Sequence, residues 1–178
     1  QATIAELGAD FDGTVFVATG LTYPDALAAS PLAAANGWPI YLAGGTAAPA
    51  TLAGAMAADG ATDALVLGGD TVVSPEHERA LDAALGDVER LAGGDRYATA
   101  AAVADYGVKH AGLAWNGVAI ATGEDFPDAL AGGVLCARSG TVMLLTRSAT
   151  LSAPVATSLA ANRGAIATVR FLGGENAV

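Results

Sequence analysis

The sequence predicts an α/β fold in which two tandem repeats each contain a mainly parallel sheet flanked by helices. Three observations support this prediction. One long stretch of sequence occurs twice, short apolar runs alternate with alanine-rich segments, and prolines or capping residues stand at several expected helix starts. Strands that alternate with helices imply right-handed crossovers between parallel strands, so each repeat is expected to be Rossmann-like.

The duplication is the strongest signal in the chain. Residues 15–28 (VFVATGLTYPDALA) recur as residues 118–131 (VAIATGEDFPDALA), at an offset of 103. The offset becomes 105 at the two Leu-Gly-Gly phrases that begin at Leu67 and Leu172, so the second copy contains two additional residues before its last strand. Both copies are therefore expected to fold into the same unit.

The strands are predicted from apolar runs that are too short and too continuous for half-exposed strands, and that suit a sheet covered on both faces. These runs are residues 15–18, 40–42, 64–67, 118–121, 142–145 and 168–172. Six alanine-rich segments between or after them have the composition and length of helices. They lie near residues 25–35, 48–58, 75–85, 96–106, 128–138 and 151–161.

Several helix starts can be located from capping patterns. Ser74 is followed by a proline and an acid, which suit the first helical turn. Thr22 with Asp25, and Asp125 with Asp128, place a capping residue three positions before an acid. These pairs predict helices that begin at Thr22 and Asp125, with an aspartate in place of the usual glutamate of a capping box.

The two repeats are predicted to be residues 1–89, without the start of the pattern, and residues 90–178, without its end, and they differ in charge. The first contains twelve acids and one base, a net charge of −11, whereas the second contains six acids and seven bases, a net charge of +1. If the ligand is anionic, the acid-free stretch between Asp128 and Glu175 in the second repeat is the first place to expect it.

Composition excludes several classes of protein. A chain of 178 residues with 53% hydrophobic content can bury a substantial core. Its net charge of −10 argues against nucleic acid as a partner, and no apolar stretch is long enough to span a membrane. Because Cys136 is the only cysteine, neither an intrachain disulfide nor a thiolate metal cluster is expected.

Three phrases carry a family resemblance. They are Gly-Gly-Asp95-Arg96-Tyr-Ala-Thr99-Ala, Ala-Thr-Gly123-Glu-Asp-Phe-Pro-Asp128-Ala-Leu-Ala and Leu-Gly-Gly-Asp70-Thr-Val-Val-Ser74. In this order and with this duplication, the chain resembles the cell-wall-binding repeat 2 family over nearly its whole length. The resemblance implies a secreted or surface protein of a Gram-positive bacterium, of the kind found in S-layers. It also implies further repeats and non-covalent attachment to an anionic, teichoic-acid-like wall polymer.

The ligand site is expected at the turns that follow the first strand of each repeat. Asp25 and Asp128 stand at the edge where open parallel sheets bind ligands, although each could simply cap its own helix. Thr19 and Thr122, with the glycine after each, could offer backbone N–H groups to an anion, or could only form a tight turn. Glu124 belongs to the same expected edge.

Arginines are the expected anion-binding groups. Asp95-Arg96 opens a predicted helix, and the Arg96 guanidinium could hold a phosphate or carboxylate in bidentate fashion, or form a salt bridge to a neighbouring acid, within its repeat or across the repeat boundary. The segment between Asp128 and Glu175 contains no acid and four arginines: Arg138, Arg147, Arg163 and Arg170. Of these, Arg138 and Arg147 are assigned to polymer binding, with scattered solvated charges as the alternative.

No catalytic residue, metal or cofactor is expected. The chain contains none of the nucleophile-elbow, Walker, zinc-protease or dinucleotide-binding motifs, and His77 and His110 are not expected to be metal ligands. Glu124 and Asp125 could in principle serve a wall-polysaccharide hydrolase. The alternative to an anchoring role is a self-association or adhesin module that packs against further repeats, another copy of the chain, or host proteins.

Overall fold

A computed structural model describes residues 11–44, 48–175 and 177–178 of the chain. Seven strands and six helices lie within these ranges. The strands are β1 (Thr14–Thr19), β2 (Ile40–Ala43), β3 (Asp63–Leu67), β4 (Asp87–Leu91), β5 (Ala114–Thr122), β6 (Thr141–Thr146) and β7 (Thr168–Leu172). The helices are α1 (Pro24–Asn36), α2 (Pro49–Ala58), α3 (Pro75–Ala84), α4 (Arg96–His110), α5 (Pro127–Ser139) and α6 (Ala153–Asn162). None of these helices is long and apolar enough to cross a membrane.

The strands form two parallel sheets, and three strands have the same order in both. The first has the order β2-β1-β3-β4 and the second the order β6-β5-β7. Val17 of β1 lies opposite Tyr41 and Val66, and Ile120 of β5 lies opposite the corresponding Leu144 and Phe171. The predicted α/β class, with two Rossmann-like units, parallel sheets and flanking helices, is therefore confirmed.

Strand β4 was not among the predicted strands. It carries three charged residues in five positions, and alternates between exposed and half-buried side chains. It nevertheless pairs in parallel with β3, because a strand at the edge of a sheet needs only backbone hydrogen bonds and tolerates charged side chains. The predicted boundary between residues 89 and 90 falls inside this strand, and the bounds 1–89 and 90–178 of the two repeats stay a prediction.

Helix α1 packs against both α4 and α5, and α1 and α4 each contact strands of both sheets. One buried cluster continues through both units, and includes Phe16 and Leu32 of the first, Val103 of α4, and Ile120 and Leu144 of the second. The two sheets therefore share a core.

The contact between α1 and α5 joins equivalent positions of the two copies. The Tyr23 and Phe126 rings lie 5.8 Å apart at the starts of these helices. Two turns further along, Gly133 lies so close to Ser30 that a Cβ on the glycine would overlap the serine hydroxyl. The two helices therefore run side by side in the same direction.

Strand β7 departs from the expectation of a sheet covered on both faces. Val169 and Phe171 are 43% and 63% exposed, whereas the equivalent Ala64 and Val66 of β3 are 1% and 0% exposed. Helix α3 contributes Leu81 to the cluster that covers Val66. No helix in the described part of the chain covers Phe171 in the same way. The face of β7 that carries Val169 and Phe171 is therefore exposed.

Two predicted helix starts are wrong by one residue. The N-cap positions of α1 and α5 are Tyr23 and Phe126 rather than Thr22 and Asp125, and neither has a side-chain capping bond. A proline follows each N-cap, and its fixed backbone angle suits the first helical position without a donor to satisfy. The Asp125 Oδ1 atom instead accepts a hydrogen bond from the Phe126 N–H, at 2.8 Å.

Two other helix starts lie where they were predicted. Ser74 is the N-cap of α3, although its hydroxyl lies 3.0 Å from Nδ1 of His77 and makes no bond to the backbone of the first turn. Asp95 is the N-cap of α4, and its Oδ1 accepts hydrogen bonds from the N–H groups of Tyr97 and Ala98 at 3.0 and 2.8 Å. This aspartate therefore fixes the start of the helix that carries Arg96.

Candidate functional site

The turns that follow β1 and β5 have the same geometry. The hydroxyls of Thr19 and Thr122 are buried and accept the N–H groups two residues later, at 3.2 and 3.1 Å. The N–H groups of Gly20 and Gly123 donate to Ala43 and Thr146 carbonyl oxygens, at 2.7 and 2.8 Å. The neighbouring strands β2 and β6 therefore engage the N–H groups of both glycines, and ligand binding at Thr19 and Thr122 stays a prediction.

Asp25 and Asp128 also occupy equivalent environments. A Cβ built on Gly68 would lie 2.5 Å from Oδ2 of Asp25, and one built on Gly173 would lie 2.5 Å from Oδ2 of Asp128. Both glycines have positive φ, +85° and +115°. Each aspartate side chain therefore packs against the first glycine of the Gly-Gly phrase in its own repeat. A Cβ atom on that glycine would clash with the carboxyl group.

Two of the three phrases that carry the family resemblance, residues 67–74 and 93–100, meet the first-repeat counterpart of the third phrase, residues 18–28, in one cleft of about 250 Å³ at the carboxyl ends of β1, β3 and β4. We call it the motif cleft. Its lining residues are Thr22, Pro24, Asp25, Gly68, Gly69, Thr71, Val72, Gly93, Gly94, Asp95, Arg96 and Thr99. Asp25 is 7% exposed, and burial raises the pKa of its carboxyl, while the Arg96 guanidinium opposes that rise.

Arg96 connects the motif cleft with the second sheet. Its NH1 atom donates a hydrogen bond to the Gly123 carbonyl oxygen, at 2.7 Å. A Cβ on Gly123 would lie 2.9 Å from the Tyr97 ring and 3.4 Å from Cδ of Arg96, so this glycine permits the close approach of both residues. Arg96 therefore contacts a carbonyl oxygen within the second repeat rather than the acid of the predicted salt bridge, and its role in anion binding stays a prediction.

Arg96 also lines a second pocket, of about 370 Å³, between the start of α4 and the carboxyl end of the second sheet. We call it the junction pocket; its lining residues are Asp95, Arg96, Tyr97, Glu124 and Arg147. The Arg147 guanidinium carbon lies 5.3 Å from the centre of the Tyr97 ring, within cation–π range. Two of the predicted arginines therefore share one pocket with an aromatic ring.

Glu124 faces the same arginine. Its Oε1 lies 3.9 Å from NH1 of Arg147, and its Oε2 accepts the Ser148 N–H at 3.0 Å. The hydrogen bond from Ser148, with smaller contributions from Arg147 and Arg96, lowers the pKa of the Glu124 carboxyl. The Ser148 hydroxyl also lies 3.1 Å from the Thr122 hydroxyl, which ties the two turns of the second sheet together.

The second repeat has its own cleft at the position that corresponds to the motif cleft. It has a volume of about 420 Å³ and is lined by Thr122, Asp125, Pro127, Asp128, Ser148, Gly174, Glu175 and Ala177. No arginine of the described ranges lines it. Of these three sites, therefore, the motif cleft and the junction pocket are lined by arginine, and the cleft of the second repeat is not.

The arginines of the second repeat do not form one basic face. Arg147 directly follows β6 at the carboxyl edge of the sheet, whereas α5 starts at that edge and carries Arg138 at its far end. Arg163 follows the end of α6, and Arg170 lies within β7. All four side chains are exposed, but the structure brings only Arg147 next to Arg96.

Tyr97 and Ser148 belong to the junction pocket and its edge but were not predicted. Tyr97 could have been found, because it follows Arg96 within a phrase that carries the resemblance. Ser148 lies in the connection where the two copies differ in length, so the duplication gave no signal for it. The described residues contain no group of three or more His, Cys, Asp or Glu side chains able to hold a metal ion.

Comparison with known proteins shows what the chain is similar to. N-acetylmuramoyl-L-alanine amidase LytC of Bacillus subtilis (strain 168) is 29% identical over 136 residues, which is 76% of this chain and 26% of LytC. Cwp8 from Clostridium difficile superposes on 97% of this chain with a TM-score of 0.75 and 26% identity, and Cwp6 from the same organism on 98% with a TM-score of 0.79 and 22% identity. The chain spans between a quarter and a third of the length of each of these proteins.

The family comparison covers almost the whole chain. The profile of cell wall binding domain 2 matches residues 1–78 and again residues 90–178, so the domain occurs twice in tandem. The internal duplication, the two equivalent sheets and the shared geometry of their turns agree with this result. The protein is thus associated with the cell wall or cell surface, and the chain belongs to the cell wall binding domain 2 family.

Proposed function

We propose that the chain is a non-catalytic anchoring module that holds a larger secreted protein to an anionic, teichoic-acid-like wall polymer. The observation that carries this proposal is the junction pocket, in which Arg96 and Arg147 lie beside the Tyr97 ring. Guanidinium groups bind phosphate oxygens through paired, charge-assisted hydrogen bonds. The pocket therefore supports binding of a phosphodiester group.

The neighbouring motif cleft suits the uncharged part of such a polymer. The Asp25 carboxylate can accept hydrogen bonds from the hydroxyls of a sugar or polyol, and Arg96 lies between this cleft and the junction pocket. A chain that alternates phosphates with hydroxyl-bearing units would meet an arginine in one pocket and a carboxylate in the next. This arrangement supports a local anion site on a protein that carries a net charge of −10.

The carboxylates suggested for a hydrolase are poorly suited to that chemistry. A glycosidase needs a carboxylic acid that stays protonated near neutral pH, usually through burial. The pKa of Glu124 is instead lowered by the Ser148 N–H, and the side chain is exposed. Asp125 accepts the N–H of its own neighbour. The arrangement favours binding over hydrolysis.

The experiment that tests the proposal compares purified cell walls before and after acid extraction of their secondary polymers. The chain should bind intact walls, and should lose most of this binding on extracted walls and at high salt. Arg147→Gln should weaken the binding, with Arg163→Gln as the matched control, because it removes the same charge from an exposed site outside both pockets. Equal binding to both wall samples would exclude the anionic polymer as the receptor.

Binding at a single site is expected to be weak and to gain strength from repetition. Linked sites raise the effective concentration of each other, so a protein with several repeats can bind a long polymer far more tightly than one site does. Titration with short and long polymer fragments measures this effect. The affinity per molecule should rise steeply with fragment length.

A self-association module is the second candidate, and a row of exposed apolar residues favours it. Phe126, Leu130 and Val134 follow one face of α5 and are 50%, 54% and 56% exposed. The equivalent of Leu130 in the first repeat, Leu27, is 8% exposed and packs in a cluster with Tyr97 of α4. A further repeat or a second copy that presents a helix like α4 would cover this face. Sedimentation of the chain and of Leu130→Glu tests it, since a monomer in both cases would exclude self-association.

A further inference from the structure

The position of Glu124 in the junction pocket suggests how anion binding is controlled. Its carboxylate accepts the Ser148 N–H at 3.0 Å and lies 3.9 Å from the Arg147 guanidinium. A backbone N–H and a guanidinium are the groups that would bind a phosphate oxygen in this pocket. In the structure, therefore, a carboxylate of the protein itself occupies the place of the anion.

Glu124 is the carboxylate of this pocket that is free to leave it. The other acid in the lining, Asp95, caps α4 through hydrogen bonds to Tyr97 and Ala98. The Glu124 and Arg147 side chains are 46% and 59% exposed, and an exposed ion pair of this kind changes an equilibrium by only about one- to fivefold. A ligand can therefore displace the Glu124 carboxylate at small cost.

The backbone of Glu124 is fixed while its side chain is not. The Glu124 N–H donates to the Thr122 hydroxyl at 3.1 Å, and the Tyr23 hydroxyl donates to the Glu124 carbonyl oxygen at 2.9 Å. A rotation about the side-chain bonds would move the carboxylate into solvent without changing either contact. Displacement thus requires no rearrangement of the turn.

The first repeat has neither partner of this pair. Leu21 occupies the position of Glu124 and is 82% exposed, and Gly44 follows β2 where Arg147 follows β6. The negative and the positive residue are thus present together in one copy and absent together from the other. This difference indicates that the pair belongs to the junction pocket and is not needed for the turn that both copies share.

We propose that Glu124 is an internal competitor for the anionic group of the ligand, so that it limits the affinity of the junction pocket. The inference rests on the proposed function and concerns the same pocket. A phosphodiester must replace the Glu124 carboxylate at Arg147 and at the Ser148 N–H. Removing the charge of Glu124 should then tighten binding, whereas a glutamate that only orients Arg147 would give the opposite result.

The test is a calorimetric titration with a synthetic glycerol-phosphate oligomer at low salt. Glu124→Gln should bind the oligomer about two- to fivefold more tightly than the wild type, because the exposed ion pair no longer opposes it. Asp82→Asn, which removes an equal charge from an exposed position on α3, is the control for net charge and should change the affinity less. The Glu124 side chain is 46% exposed, so the substitution should leave the fold unchanged.

A second measurement follows the displacement directly. In the wild type, the backbone amide resonance of Ser148 should shift on addition of the oligomer, because its N–H exchanges the glutamate carboxylate for a phosphate oxygen. Equal or weaker binding by Glu124→Gln, relative to Asp82→Asn, would overturn the internal-competitor inference and leave the anchoring proposal standing. Absence of binding by the wild type and by Glu124→Gln would overturn both.

Discussion

The contact between Asp25 and Gly68 gives the most direct test of how the motif cleft is built. In Gly68→Ala, the new methyl group would lie 2.5 Å from Oδ2 of Asp25 and 2.6 Å from a methyl group of Val72. The backbone at this position has a φ of +85°, which costs a residue other than glycine roughly 1–2 kcal/mol. Overpacking adds about 1–3 kcal/mol, so we expect a loss of about 2–5 kcal/mol in the free energy of unfolding.

A matched control stands next to it in the chain. A Cβ on Gly69 would meet nothing within 4 Å, and φ of this residue is not in the left-handed region. Gly69→Ala should therefore change the stability by about 0.5 kcal/mol or less. The same contrast is expected between Gly173→Ala and Gly174→Ala in the second repeat, where Asp128 replaces Asp25.

Denaturant unfolding followed by tryptophan fluorescence measures the difference, because Trp38 and Trp115 are buried and report on the two repeats. For a chain of this size, the expected loss corresponds to a fall in Tm of roughly 5–15 °C. Combining Gly68→Ala with Asp25→Ala should recover the part of the loss that comes from the clash with Asp25, and leave the parts that come from Val72 and from φ. If Gly68→Ala were as stable as Gly69→Ala, the described packing of Asp25 would be wrong.

Three further predictions concern the helix contact, a half-buried tyrosine and the basic residues. Gly133→Ala should lower the free energy of unfolding in urea by about 1–3 kcal/mol, because its methyl group would overlap the Ser30 side chain. Adding Ser30→Gly should recover most of this loss, and failure to recover it would contradict the described contact between the two helices. Burial, and then a hydrogen bond to a carboxylate, raise the pKa of Tyr41 to about 12 from an ordinary value of 10.0. The protonated Tyr41 hydroxyl stabilises the fold fully below pH 10, and this contribution is lost between pH 10 and about 12. Tyr41→Phe should therefore lose less stability over this window than the wild type. Parallel curves of unfolding free energy against pH for the two proteins would contradict the assignment. Arg147→Glu should weaken wall binding about three- to tenfold and more than Arg138→Glu, which makes the same charge change at the opposite edge of the sheet, whereas equal losses would indicate a diffuse attraction.

The elements of the fold could be predicted because local signals and duplication agree. Six of the seven described strands coincide with short apolar runs, and all six described helices coincide with alanine-rich segments. Residues 15–28 and 118–131 contain the same strand, turn and helix, so a prediction for one copy supports the other. Strand β4 lacked such support, since its charged side chains hide a strand that backbone pairing with β3 holds in place.

The candidate site could be predicted only in part, because long-range contacts assemble it. The position of Asp25 at the carboxyl edge followed from its place after a strand, but its fit against Gly68 depends on a turn 43 residues later. Arg138 and Arg147 are close in sequence, yet α5 and β6 run in opposite directions and separate them. The contact of Arg96 with Gly123 likewise joins residues that are 27 positions apart in the sequence, and no local pattern indicates it.

The central claim is that the junction pocket binds the anionic groups of a wall polymer. A crystal structure of the chain with a glycerol-phosphate oligomer tests it most directly. We predict a phosphate between Arg96 and Arg147, with the Glu124 carboxylate displaced and a ligand hydroxyl at Asp25 in the motif cleft. An oligomer bound away from both pockets would contradict the claim.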